Sequence, residues 1–278
     1  MEIKDHTLTK HRILKKYLRA CEKFHGKYQN FCYVDTHGGS GMVSYEGKER
    51  TGSPLIAANI HPYPCHVVEI DPKRFSCLEE SARPYSHISV YNGDCNQKIE
   101  EILKQIASWK FIFCFIDPDG LMYHGSKGFS CLQLKYETVE KVANHPKTEI
   151  LLNFPLESLI RCGAFIKKNP SDARTPKMIE DMDLFFGTPS WIDEEVEKRA
   201  YLDMYTERLA SYYNYIGAIC IRGPTRTPLY YLVYASKHPV GGKIMRDIMK
   251  TEWGFVPIGD FDEMFPINRF IFEPYSTP

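Results

Sequence analysis

Four acidic residues follow or end apolar runs in the first half of the chain, and their positions are the first sign of chemistry. They are Asp35 after FCYV, Glu69 in CHVVEI, Asp94 after ISVYNG and Asp117 after FIFCFI. Apolar runs of this length between helical patterns predict parallel strands, whose carboxyl ends meet at one edge of a sheet. Carboxylates collected at that edge can accept hydrogen bonds from hydroxyl and amino groups. The pattern therefore predicts a ligand site there.

A glycine-rich turn, GGSG at 38–41, follows the first of these acids. Because glycine has no Cβ, Gly39 and Gly41 would let the backbone come close to a ligand. A plain tight turn is the alternative interpretation. The turn lacks the spaced G-x-G-x-x-G of dinucleotide-binding enzymes, which counts against an NAD-dependent oxidoreductase.

Each candidate residue also has a purely structural interpretation. Glu69 and Asp71 both qualify to accept hydrogen bonds from two ribose hydroxyls. Asp94 suits an adenine amino group, but it also belongs to an Asn-Gly-Asp turn. Asp117 begins Asp-Pro-Asp-Gly, which is itself a strong turn sequence. Ser53 precedes a proline and could serve only as a helix cap.

The elements that must position these residues alternate between helix and strand. The sequence predicts helices at 6–24, 54–60, 72–85, 97–108 and 241–250, a loop and a helix within 121–145, and strands at 31–35, 65–70, 88–91, 111–116 and 149–154. A mainly helical segment, 156–215, precedes a hairpin of strands 216–222 and 228–236. This order predicts an α/β fold with a doubly wound sheet of seven strands, the last one antiparallel. That is the architecture of Rossmann-like methyltransferases. We expect one domain over 1–278, with 156–215 as a helical insertion or lid.

The composition limits the class of protein. Lys plus Arg equals Asp plus Glu, so strong electrostatic capture of nucleic acid by the whole chain is not indicated, although local basic patches remain open. The nine cysteines are odd in number and show no CxxC pair, so we expect neither a zinc site nor a disulfide framework. The charged amino terminus is unlike a signal peptide, and no apolar run reaches membrane-spanning length. We therefore expect a cytoplasmic protein without a membrane anchor.

Eight segments carry a resemblance to known families: HTLTKHRILKKYL, YVDTHGGSG, TGSPLIA, VVEIDP, NGDCN, FIDPDG, NFP with Arg161 after it, and LFFGTPSW. Through them the chain resembles the three-Cys-motif partner protein family, a branch of the S-adenosylmethionine-dependent methyltransferase fold, over nearly its whole length. The resemblance implies S-adenosylmethionine as cofactor and a neighbouring protein with three cysteines as partner. Parts of the chain are also similar to bacterial ribosomal-RNA adenine-N6 methyltransferases, which carry DTHAGAG, GSPLIA and IDPPY motifs, and this implies a nucleic-acid amino group as methyl acceptor.

The resemblance also implies a role for individual residues. The methionine part of the donor would be lined by Asp35, Gly39 and Gly41, with Lys10 near its carboxylate. The rest of the cofactor would meet Ser53 beside it, Glu69 at the ribose and Asp94 at the adenine. The catalytic positions would be Asp117 and Pro118, which match the start of D-P-P-Y.

The match ends directly after Pro118. Asp119 and Gly120 stand where the motif has a proline and an aromatic residue. Asp117 can still accept a hydrogen bond from a target amine, while Asp119 is either a second acceptor or part of the turn. The aromatic that would stack on an extruded base is missing unless Tyr123, Phe154 or a residue of the lid supplies it. A second hypothesis follows, in which the chain keeps the fold, assists a three-Cys partner and transfers no methyl group.

Overall fold

The computed structural model describes residues 3–25, 30–60, 63–193, 198–223, 228–254 and 261–273. Within these residues the strands are β1 Phe31–Asp35, β2 Met42–Tyr45, β3 Lys48–Thr51, β4 Cys65–Glu69, β5 Ile88–Asn92, β6 Phe111–Ile116, β7 Met122–His124, β8 Ser130–Leu132, β9 Thr148–Phe154, β10 Tyr215–Arg222, β11 Pro228–Ser236 and β12 Arg269–Phe272. The helices are α1 Asp5–His25, α2 Ser53–Ala58, α3 Pro72–Ala82, α4 Cys95–Gln105, α5 Tyr136–Asn144, α6 Leu156–Lys168, α7 Thr175–Phe186, α8 Lys198–Leu209, α9 Pro239–Trp253 and α10 Phe261–Met264.

One large sheet carries the fold, in the order β12-β10-β11-β9-β6-β1-β4-β5. Strands β5, β4, β1, β6 and β9 are parallel to their neighbours in this series. Strand β11 runs antiparallel to both β9 and β10. The order reverses at β1, which places a topological switch point at its carboxyl end. The predicted doubly wound sheet with an antiparallel strand reached by a hairpin is confirmed.

The central strands are buried on both faces. Every residue of β1, β4 and β9 is buried, as are five of the six residues of β6. Helices α1, α2 and α9 supply apolar side chains to the core on one face. Helices α4 to α8 supply them to the core on the other. Two helical layers therefore fix the strands and the positions of the residues at their carboxyl ends.

The predicted helical segment after β9 forms α6, α7 and α8, and its positions 194–197 lie outside the described residues. Aromatic side chains join this segment to the sheet. The ring of Phe154 at the end of β9 lies 5.8 Å from that of Phe185 on α7 and 5.3 Å from that of Tyr205 on α8. The segment is thus part of the core on this face.

Two elements differ from the expectation. The segment after β6 contains a small hairpin, β7 and β8, in addition to helix α5. The main sheet has eight strands because β12, in the carboxyl-terminal tail, pairs in parallel with β10. Phe270 and Phe272 of β12 are buried, and their burial against α9 and the sheet accounts for the order of this short strand. None of the helices in the described parts of the chain has both the length and the apolar character required to cross a membrane.

Candidate functional site

A cleft of about 870 Å³, partly open to solvent, lies at the carboxyl edge of the sheet beside the switch point. It brings together six of the nine residues proposed from the sequence. These are Lys10, Gly39, Ser53, Glu69, Asp94 and Asp117. The other three, Asp35, Gly41 and Pro118, do not line it. Among the described residues, no group of three or more His, Cys, Asp or Glu side chains has an arrangement that could hold a metal ion.

The glycine loop crosses the floor of the cleft. Gly38 packs so closely against β4 that a Cβ there would lie 2.3 Å from Val67 Cγ1. Gly39 has a φ of +64°, a left-handed conformation that favours glycine, and a Cβ there would meet nothing within 4 Å. Gly41 points away from the cleft, toward Leu78 and Ser81 of α3. Gly39 is therefore the position where this loop offers open backbone to a ligand.

The glycine loop is tied to the acid that ends β4. Glu69 Oε2 accepts a hydrogen bond from the amide of Gly39 at 2.7 Å, and Oε1 accepts one from the amide of Asp71 at 2.8 Å. Burial raises the pKa of Glu69 although these amides favour the charged form. Asp71 has another task, because its Oδ1 accepts from the amides of Lys73 and Arg74 and caps α3. Of the two acids that qualified for the ribose, Glu69 lies in the cleft and Asp71 caps a helix.

Asp94 caps a helix and also lines the cleft. Its Oδ1 accepts from the backbone amide and the side-chain amide of Asn96, at 2.9 and 2.8 Å, and caps α4. Its Oδ2 accepts no hydrogen bond from the described residues, although the side chain lines the cleft. One carboxylate oxygen thus holds the helix, and the other remains an acceptor for a ligand.

Asp35 lies behind the cleft lining and is fully buried. It accepts hydrogen bonds from the Tyr33 hydroxyl at 2.9 Å, from the His37 amide at 3.2 Å and from the Ser53 side chain. Burial raises its pKa to about 7 against the effect of these donors. The interpretation of Ser53 as only a cap is wrong, because Gly52 occupies the N-cap of α2 and Ser53 is bonded to Asp35. Asp35 thus holds the His37 amide directly before the glycine loop.

Asp117 is held from two sides. Lys10 Nζ on α1 lies 2.5 Å from its Oδ1, and the Lys10 side chain is buried. Burial alone would lower the pKa of Lys10, but Asp117, together with Tyr230 and Asp119, outweighs this effect and raises that pKa to about 12. Asn153 Nδ2 donates to the same oxygen at 2.9 Å and to the Pro118 carbonyl at 3.1 Å. Asp117 Oδ2 accepts no hydrogen bond from the described residues and is available to a ligand.

Two histidines near Asp117 are neutral at pH 7. Burial, and next the charge of Lys10, lower the pKa of His11 to about 4. Burial also lowers the pKa of His37, whose Nδ1 lies 2.8 Å from the Thr36 hydroxyl and whose Nε2 lies 3.3 Å from the Gln133 carbonyl oxygen. Sequence reasoning missed His11, His37 and Asn153 as site residues, although His37 lies next to the glycine loop and Asn153 lies at the end of a buried strand.

The mouth of the cleft is bridged by two polar contacts. Arg74 Nη1 on α3 lies 3.2 Å from Asp119 Oδ2, and the Tyr123 hydroxyl donates to Asp71 Oδ2 at 2.8 Å. Both contacts join the start of α3 to the segment after β6. Asp119, left open as a second acceptor or a turn residue, therefore pairs with a cation at the rim. Of the two named aromatics, Tyr123 lines the cleft and Phe154 is fully buried in the core.

No protein-family model and no curated protein matches the chain. Among solved structures it is similar to protein LPL1258 from Legionella pneumophila str. Philadelphia 1, described as DUF519, with a TM-score of 0.54 and 13% identity over 88% of this chain and 90% of that one. It is also similar to the O-methyltransferase from Bacillus cereus in complex with SAH, with a TM-score of 0.43 and 14% identity over 80% of each chain. The hMettl16 catalytic domain in complex with MAT2A 3'UTR hairpin 1 gives a TM-score of 0.37 and 10% identity over 80% of this chain and 70% of that one.

At these identities the likeness to LPL1258 extends to the fold and shows no shared activity. The sheet itself gives the more specific information. Its order and its antiparallel strand β11 are those of a Rossmann-like methyltransferase. The fold class is therefore established, and any activity has to be argued from the cleft.

Proposed function

We propose that this chain is an S-adenosylmethionine-dependent methyltransferase whose acceptor is an amino group of a nucleic acid. The observation that carries the proposal is the charge of the cleft. S-adenosylmethionine has a sulfonium and an ammonium group, whereas the pyrophosphate of a dinucleotide is anionic, so an acidic cleft favours the first ligand. With His11 and His37 neutral, the described charged residues that line the cleft are four acids, Glu69, Asp94, Asp117 and Asp119, and two cations, Lys10 and Arg74.

The polar groups of the cleft fit the donor. Each carboxylate oxygen of Glu69 has a second lone pair for a ribose hydroxyl, and Asp94 Oδ2 can accept from an adenine amino group. Lys10 Nζ uses one N–H for Asp117 and keeps donors for the carboxylate of the methionine part. The open backbone at Gly39 lets that part lie close to the loop.

In this proposal Asp117 and Pro118 orient the acceptor. The bound cofactor would supply a methyl group on a positively charged sulfur. Asp117 Oδ2 and the Pro118 carbonyl would accept hydrogen bonds from the target amine, and this directs its lone pair at the methyl group. The negative charge of Asp117 would also stabilise the positive charge that develops on the nitrogen.

A second cleft supports a route for the acceptor. It has a volume of about 1000 Å³, shares Asp119 with the donor cleft and is lined by His124 of the β7–β8 hairpin and by Arg161 and Phe165 of α6. We propose that the acceptor enters here, with the helical segment after β9 as its wall and residues 1–278 acting as one unit. An aromatic base could then approach Asp117 from the side opposite the ribose-binding acids.

Calorimetry with S-adenosylmethionine and its demethylated product S-adenosylhomocysteine tests the donor site, and absence of binding by both would end the proposal. Transfer of a labelled methyl group to total RNA, DNA and protein tests the reaction. We expect transfer to RNA or DNA. Asp117→Ala should bind S-adenosylhomocysteine within about threefold of the wild type and lose transfer, whereas Asp172→Ala, which removes a surface ion pair with Arg174, should change neither.

A second candidate is an accessory role beside a three-Cys-motif protein without methyl transfer. One observation favours it, since Asp119 replaces part of the motif and is paired with Arg74 at the rim. Binding of the cofactor, silence in all three transfer assays and co-purification of a three-Cys protein would select this role. Both candidates are placed in the cytoplasm, and the nine cysteines without disulfide partners support a reducing compartment.

A further inference from the structure

Asn153 is the penultimate residue of β9, next to the end of β6, from which Asp117 and Pro118 follow. Its side chain is buried, with 6% of its surface exposed. Both N–H groups are directed at the proposed catalytic turn, to Asp117 Oδ1 at 2.9 Å and to the Pro118 carbonyl at 3.1 Å. One side-chain amide thus joins the two acceptors to which the target amine would donate.

The orientation of this amide follows from its partners. Asp117 Oδ1 and the Pro118 carbonyl are both acceptors, so only the nitrogen of Asn153 can face them. The remaining atom, Asn153 Oδ1, is buried and has no hydrogen-bond partner among the described residues. Both donors of Asn153 are therefore used at the turn that follows β6.

The geometry points to Asn153 as a positioning residue for methyl transfer, an inference that rests on the proposed function. Asn153 Nδ2 on β9 donates hydrogen bonds to Asp117 Oδ1 and to the Pro118 carbonyl, while Lys10 Nζ on α1 contacts the same Oδ1. Asp117 Oδ2 is then left to face the acceptor. Without Asn153 the carboxylate would rotate about its side-chain bonds, and the Pro118 carbonyl would lose the donor that fixes it.

Two variants and one control test this role. Asn153→Leu removes both donors without adding charge, and Asn153→Asp removes them in a side chain of the same shape. Asn144→Asp, on the exposed end of α5, adds the same negative charge outside the cleft. The measurements are the Kd for S-adenosylhomocysteine by calorimetry, kcat and KM for labelled methyl transfer to total RNA, and the melting temperature.

For both Asn153 variants we expect kcat to fall by about tenfold to a hundredfold, since small misplacements of reacting groups cost factors of this size. The Kd for S-adenosylhomocysteine should stay within threefold of the wild type, and Asn144→Asp should behave as the wild type throughout. Unchanged kcat in a wild-type enzyme that does transfer would overturn the inference and leave the proposed function standing. A loss of cofactor affinity and melting temperature in step with kcat would assign Asn153 a merely structural role. A wild type inactive on RNA, DNA and protein would overturn both.

Discussion

Replacement of Asp35 by asparagine should stabilise the folded chain above neutral pH. Asp35 is fully buried, and its described partners are the neutral donors Tyr33, His37 and Ser53. Asparagine has nearly the same shape and is never charged. The Tyr33 and Ser53 hydroxyls can each accept as well as donate, so the hydrogen bonds can be kept. The substitution therefore isolates the cost of the buried charge.

The magnitude follows from the pKa of Asp35. Burial raises it from an ordinary value of 3.8 to about 7, a little over three pH units, and each unit corresponds to about 1.36 kcal/mol. Between these values the folded chain holds a proton that the unfolded chain has lost, so its stability falls as the pH rises. The cost is absent below pH 3.8 and reaches about 4 kcal/mol above pH 7. Asp35→Asn should therefore match the wild type near pH 4 and exceed its free energy of unfolding by up to about 4 kcal/mol at pH 8.

Urea denaturation at intervals from pH 4 to pH 9 measures this difference. Glu69 and Glu149 also have raised pKa values, so the wild-type curve alone contains several contributions. Subtracting the free energy of unfolding of the wild type from that of Asp35→Asn at each pH removes the contributions that the two proteins share. Asp247→Asn, on the exposed face of α9, is the matched control and should give a flat difference. A flat difference for Asp35→Asn, or a less stable variant at pH 8, would refute the reasoning.

Three further predictions concern the cleft and the core beside it. A double-mutant cycle of Lys10→Met and Asp117→Asn in urea at pH 7 should show a favourable coupling within the range of about 0.5–3 kcal/mol that contacting residues give. Burial lowers the pKa of Lys10, but Asp117 and its other neighbours raise it to about 12, and the contribution of the pair is lost only as the pH rises through that value. Additive effects would contradict the ion pair. Asp71→Ala removes a helix cap and should lower the free energy of unfolding by about 1 kcal/mol, while the Kd for S-adenosylhomocysteine should stay within threefold of the wild type. Glu69→Gln should instead weaken that binding at least tenfold, as measured by calorimetry. Phe154→Ala should lower the free energy of unfolding by about 3–5 kcal/mol, and a smaller loss would argue against its burial in the core.

The sheet could be predicted because its strands are short apolar runs that end at polar turns. FIFCFI is apolar throughout and EILLNF has three successive apolar residues, which is typical of strands covered on both faces, and all but the first residue of FIFCFI are buried as expected. Strand β12 and the β7–β8 hairpin were missed because each strand has only three or four residues and is ordered by what it packs against. The hydrophobic period and the length of a short segment do not show which other elements it packs against.

The site could be predicted as a set of acids but not as a set of contacts. Strand order brings Glu69, Asp94 and Asp117 to one edge, and this much follows from sequence. The rotation of a carboxylate side chain decides which of its oxygens caps a helix and which faces the cleft. At Asp94, for example, Oδ1 caps α4. The pairing of Lys10 with Asp117 joins residues 107 positions apart, and it follows from the packing of α1 across the sheet.

The charge of the donor cleft also constrains how a nucleic acid could approach it. Four carboxylates against two cations would repel the phosphate backbone as well as attract a sulfonium. In a nucleic-acid acceptor the phosphate backbone would therefore stay outside the cleft, and only the base would enter it. Under the proposed function the base would enter through the second cleft, whose lining includes Arg161 and Phe165 as well as the acids Asp119 and Asp181. Asp119 lines both clefts and pairs with Arg74, so under the proposed function this ion pair would mark the boundary between the acceptor route and the donor cleft.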